Sequence, residues 1–219
     1  MSFNLLAKLL TLGLFTLSTV SAIGKPMNAE DHLYPTTNQK KFNLKKKTNP
    51  KEAYEFTVTL IDPPQGLEAV SAEAHYVIWD CHYDLNKSAG ATANFQVSIP
   101  IEFKKVSATQ YKAVVYFDAM LDEDYLERGK VCHWQWDFAA MRFEPQPNLS
   151  MVSYSGLVGS DNKVSDGYYR EERYITRWKF NTPQKREKIF SMGTSPDRNR
   201  FSEEAKKQLA TIRYELRKK

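Results

Sequence analysis

Tyr54-Glu55-Phe56-Thr57-Val58-Thr59-Leu60 decides how this chain is read. Apolar Tyr54, Phe56, Val58 and Leu60 alternate with polar Glu55, Thr57 and Thr59. A period of two puts each set on its own face of a β-strand. Asp62-Pro63-Pro64-Gln65-Gly66 then supplies turn chemistry. Working outward, the same alternation predicts strands over 75–85, 95–103, 111–117, 131–143, 151–158 and 173–180. Pro100 falls inside the third of these seven strands, and a residue without an N–H belongs at a sheet edge or a bulge. In the last strand Tyr174, Thr176, Trp178 and Phe180 are expected to face the core, with Arg173, Arg177 and Lys179 on the polar side.

Helix signals come only at the end of the chain. Ser202 is a good N-cap, followed by Glu203 and Glu204 in the first turn. Ala205, Leu209, Ile212 and Leu216 then recur at helical spacing, which predicts an amphipathic helix over 202–218. The expected fold is mainly β: an antiparallel β-sandwich, or sheet, of about seven strands with one C-terminal amphipathic helix.

The chain has 219 residues and a net charge of +5. Apolar residues make up 42% and charged residues 26%, which excludes a wholly disordered protein. Nine glycines argue against glycine-rich phosphate loops, and two cysteines exclude a disulfide-dense scaffold.

Lys8, an uncharged apolar stretch over 9–20, and Val20-Ser21-Ala22 read as a secretory signal peptide over 1–22, cleaved near Ala22. The apolar run is shorter than the about 20 residues that span a bilayer, so no stable membrane anchor is expected. Residues 23–51 are lysine-rich and poor in large apolar side chains, and read as a basic flexible arm. Lys45, Lys46 and Lys47 have no interleaved aromatics to stack on bases, and export argues further against a nucleic-acid partner. The single β-rich domain is expected over 52–219, in the periplasm or outside the cell.

Cys81 and Cys132 lie in the two most aromatic strands. By period two, Val77, Trp79, Cys81 and Tyr83 share one face, and Cys132, Trp134, Trp136 and Phe138 share another. Two core-facing cysteines in an exported protein predict one disulfide, worth roughly 4 kcal/mol on the chain-entropy estimate. Histidine follows each cysteine, but strand neighbours point to opposite faces, which argues against a shared Cys₂His₂ zinc site. On the polar faces lie Asp80, His82 and Asp84, and His133, Gln135 and Asp137. If the two strands are neighbours, His82, His133, Asp80 and Asp137 form a weak alternative metal or acid–base site.

No Gly-x-Ser-x-Gly elbow and no His-Glu-x-x-His is present, and the segment 161–167 fails as a calcium loop. The acidic turn Asp122-Glu123-Asp124 reads as a solvated loop. No catalytic residue and no cofactor is assigned. Tyr168-Tyr169-Arg170-Glu171-Glu172-Arg173-Tyr174 concentrates the residue types of binding hot spots. Tyr168, Tyr169, Arg170, Arg173 and Arg177 are the candidate partner-binding residues. The expectation is an exported protein-binding module, such as an inhibitor, an immunity-type protein or an envelope assembly factor, taking a protein partner of acidic character. A small-ligand or metal carrier, and a hydrolase with a dispersed site, are the rival readings.

Overall fold

The computed structural model describes residues 34–35, 42–63, 66–145, 152–158, 164, 167–176, 189–192, 197–207 and 209–219. The expected signal peptide, 1–22, lies outside the described residues, as does 23–41 of the expected arm apart from Tyr34 and Pro35.

Among the described residues, eleven strands form two sheets. One sheet has the order β1 (Tyr34–Pro35), β4 (Ala91–Pro100), β3 (Leu67–Asn86), β7 (Trp134–Pro145), β8 (Val152–Val158), β10 (Ile189–Met192). The other runs β5 (Phe103–Lys105), β6 (Gln110–Tyr116), β2 (Ala53–Ile61), β11 (Leu209–Lys218), β9 (Tyr168–Thr176). Pairing is antiparallel apart from the parallel β8–β10 contact. Both sheets contribute to one buried core, with Phe56, Val58, Tyr111 and Tyr214 from one, and Tyr76, Phe95, Trp136 and Phe143 from the other. Tyr111 meets Phe143 edge-on at 5.5 Å, and Phe117 stacks on Trp136 at 4.1 Å. Each such side chain, fully buried, contributes about 1.5–3 kcal/mol of apolar transfer.

The quoted alternation around Tyr54 becomes β2, with Tyr54, Phe56, Val58 and Leu60 all buried. Pro100 ends β4, and Ile101 donates its N–H to the carbonyl of Ala72 as the chain crosses to β5 in the other sheet. A missing N–H at the crossing breaks no ladder bond.

The C-terminal helix expected over 202–218 is corrected. Ser202 does cap a helix, accepting the N–H of Ala205, but that helix, α1 (Glu203–Lys206), has only four residues. Then comes β11, paired along its length with β2 and with β9. The reason lies in a second pattern within the same residues. Ala210, Ile212, Tyr214 and Leu216 recur every second position and are all buried. A strand between two others buries this whole set and satisfies its backbone on both sides, whereas the helical stripe offers four modest side chains.

The arm boundary also moves. Leu44 is 8% exposed and belongs to the core. Lys46 bridges to Met120, and Leu121 and Lys47 donate their N–H groups to the carbonyls of Lys45 and Ala119. The Asp118 carboxylate accepts the N–H groups of Lys51 and Glu52 at 2.9–3.0 Å. Burial pushes the Asp118 carboxyl up, but these backbone donors and Lys47 outweigh it and hold the group below the ordinary aspartate range. Residues 42–51 are thus part of the folded domain. The acidic turn is structural as well: Asp122 accepts the N–H of Trp134, Glu123 pairs with Lys45, and Asp124 accepts the N–H groups of Arg128 and Gly129.

Cys81 and Cys132 form the expected disulfide, with Cα atoms 5.6 Å apart. It does not join the two sheets. Cys132 sits just before β7, the direct neighbour of β3 in the same sheet. The expected face assignments hold only in part. The register shifts between Val77 and His82 against β4, where β3 carries three extra residues, and at His75–Tyr76 against β7, where the extra residue is Asp137 of β7. An odd number of extra residues moves every later side chain of that strand to the other face. Hence Cys81 and Tyr83 are in the core, while Trp79 is 55% exposed and Val77 is buried outside the core cluster. Cys132, just before β7, and Trp136 on it are in the core and Trp134 packs against it, while Phe138 stacks on His75 at 4.6 Å.

Candidate interaction surface at the β9 edge

β9 ends the five-stranded sheet; among the described residues no strand pairs with its far side. Its near side is bound to β11 over nine successive positions, from Leu209 opposite Thr176 to Arg217 opposite Tyr168. Directly opposed residues of an antiparallel pair share a face. The buried residues of β11 therefore assign the faces of β9. Tyr169 lies opposite Leu216, Glu171 opposite Tyr214 and Arg173 opposite Ile212, so these three face inward. Tyr168, Arg170, Glu172 and Tyr174 face outward.

Each face carries its own charge network. On the inner face Arg173 donates from Nε to Glu171 at 2.8 Å, and the Tyr169 hydroxyl donates to the same carboxylate at 2.6 Å. The side chains of Arg173 and Glu171 are only 19% and 8% exposed. Burial and then the bond to Glu171 push the Tyr169 hydroxyl well above its ordinary pKa. Tyr214, opposite Glu171, is fully buried, and its hydroxyl has no hydrogen-bond partner among the described residues. On the outer face Glu172 is held by Arg170 at 2.9 Å and Arg213 at 2.8 Å, and these two bonds keep it below the ordinary glutamate range. Tyr168 donates to Glu215 at 2.9 Å, and Arg217 lies over its ring at 5.7 Å.

The five expected partner-binding residues thus separate. Tyr168, 41% exposed, and Arg170 are on the outer surface. Tyr169 packs against the core, and Arg173 points inward with it. Arg177 lies outside the described residues, as does Trp178. The expected facing of this strand is inverted: Tyr174 is on the outer face, its ring edge-on to Phe201 at 6.5 Å. Apolar content favours the Tyr174 side, but the alternation of β11 decides the matter, and a helical reading of 202–218 hides that alternation. It hides equally that Arg213, Glu215 and Arg217 share the outer face with Arg170.

The strands of the alternative histidine site are neighbours, as that reading required. His133 pairs with Asp80, Nδ1 to Oδ2 at 2.8 Å, and donates its backbone N–H to the same carboxylate. That hydrogen bond raises the His133 pKa above the ordinary histidine value. Asp137 instead meets His75, at 3.1 Å. His82 lies opposite Asn94 on the β4 side and lines a recess of about 360 Å³ with Asp80, Asp84, Thr92, Arg128 and Lys130. Among the described residues no three His, Cys, Asp or Glu side chains gather as a metal site. Each imidazole–carboxylate pair can hold a proton. Among the described residues, however, no hydroxyl or thiol is bonded to either ring as a nucleophile would be.

Neither a protein-family model, nor a curated protein, nor a solved structure matches this chain.

Proposed function

We propose that this protein is an exported protein-binding module that takes its partner at the edge of β9 that no strand among the described residues covers. The observation that carries the reading is a nine-residue edge strand with tyrosine and arginine on its open face. An edge strand offers a row of unpaired backbone groups to an added strand, and its alternate side chains supply specificity. Tyr168 and Arg170 add the large rings and guanidinium groups that dominate binding energy elsewhere. The disulfide is compatible with an oxidising, exported location, which agrees with the leader expected over 1–22. The net charge of +5 would speed encounter with an acidic surface and make that step salt-sensitive.

A photo-cross-linker placed at position 170 in the exported protein tests this. Cross-links to a protein from that position, and not from position 112 on the same sheet face, support the reading. Equal cross-linking from both positions, or from neither, sinks it. The carrier reading retains the recess beside Cys81 as its location, and a ligand bound there would respond to His82→Ala.

A further inference from the structure

We infer that the strand β9 accepts is a second β9, so that two copies of this chain join edge to edge into one continuous sheet; this rests on the reading of β9 as a strand-accepting edge. Charges on an edge strand, above all inward-pointing ones, normally block pairing. On β9 they form a code that its own sequence answers. In an antiparallel pair about a two-fold axis normal to the sheet, inner faces meet inner faces, so the axis passes through a residue, and the three central registers are those about Glu171, Glu172 and Arg173.

With Glu172 at the axis, Glu171 of each strand lies opposite Arg173 of the other, twice over on the inner face. Arg170 of each lies opposite Tyr174 of the other on the outer face, where a guanidinium can sit over the ring. The like pair Glu172–Glu172 then falls on the solvent side, where each carboxylate is already held by Arg170 and Arg213. With Glu171 at the axis, Arg170 would gain Glu172 as its opposite on the outer face, but two carboxylates whose side chains are 8% exposed would face one another on the inner side; with Arg173 at the axis, two inward guanidinium groups would do so. Buried like charges are far costlier than exposed ones, so the register about Glu172 is favoured. A foreign strand lacking opposite charges at these alternate positions would leave Glu171 and Arg173 confronting the wrong partner. The net positive charge opposes self-association at long range, but at physiological salt the screening length is about 8 Å and the local pattern governs. A contact made by two nine-residue strands alone is smaller than a standard interface of about 1,200 Å² or more, which places the pair among weak, reversible associations.

The experiment is sedimentation of the purified, disulfide-intact protein across micromolar concentrations, combined with cysteine cross-linking. The expected result is a reversible dimer, which Glu172→Cys traps as an interchain disulfide under mild oxidation while Glu215→Cys on β11 does not. Arg173→Glu should weaken the dimer by about tenfold or more, and adding Glu171→Arg should restore it, because the swapped charges again face their opposites. If the charge variants fail to fold, the trap at position 172 still decides. A monomer at every concentration, or equal trapping at 172 and 215, overturns the inference. A monomer that still cross-links a different protein through position 170 overturns self-pairing alone and leaves the β9 reading standing. Absence of any protein bound through position 170 removes both.

Discussion

β9 and β11 are paired residue for residue over nine positions, yet they do opposite work. On its inner face β11 carries Ala210, Ile212, Tyr214 and Leu216, all buried. Ile175 lies opposite Ala210, but opposite the other three β9 carries Arg173, Glu171 and Tyr169, which spend their hydrogen bonds on one another. The difference follows from position in the sheet. A central strand is covered by neighbours on both sides, so apolar side chains gain most there. An edge strand has one side open to solvent, so charge is tolerated and can encode what may pair. Stability should therefore be concentrated in β11 and recognition in β9.

The largest effect calibrates the scale outside both strands. Replacing Cys81 and Cys132 together by serine releases a loop with a sequence separation of 51 and should cost roughly 4 kcal/mol. Urea unfolding of oxidised and variant protein measures this; a loss below about 1 kcal/mol would mean that the staple matters little. Next, Leu216→Ala on β11 should cost about 2–5 kcal/mol by transfer and cavity terms. Tyr168→Ala on β9, opposite Arg217, should cost less than about 1 kcal/mol, because that ring is on the outer surface. Comparable losses would erase the contrast between the strands.

Asp118→Ala should cost about 1–2 kcal/mol by freeing the N–H groups of Lys51 and Glu52. The Asp118 pKa is lowered on folding, so its contribution is complete above the ordinary aspartate value of 3.8 and is lost as pH falls through the lower folded value. The wild type should lose stability in that acidic window, and the alanine variant should lose less. Smallest on stability is Arg170→Ala, an exposed residue whose loss should leave thermal unfolding nearly unchanged. Its loss should nonetheless weaken partner binding by about fivefold or more. A variant that unfolds early but binds normally would place β9 among the structural strands.

How far the sequence could be read depended on whether one period was the sole pattern on offer. Around Tyr54 only the two-residue alternation fits, and β2 was legible. At 205–216 two patterns overlap: Ala205, Leu209, Ile212 and Leu216 at helical spacing, and Ala210, Ile212, Tyr214 and Leu216 at strand spacing. The Ser202 cap belongs to a four-residue helix and says nothing about where that helix stops. Register shifts are silent in composition, so simple alternation places Trp79 with Cys81, although the change of phase on β3 falls between Ile78 and Cys81 and leaves Trp79 on the outer face. The disulfide was legible because two aromatic strands held the only two cysteines. The choice of 168–174 as an interaction segment came from residue type alone. That it forms an edge strand depends on β11, and no local signal in the segment reports it.

Amide hydrogen exchange of the exported protein, compared between dilute and concentrated or partner-bound samples, tests the division of labour most directly. The account predicts that residues 168–176 gain protection on association, while 209–218, already paired on both sides, change little. Protection gained instead along the Trp79–Cys81 corner, with 168–176 unchanged, would contradict it.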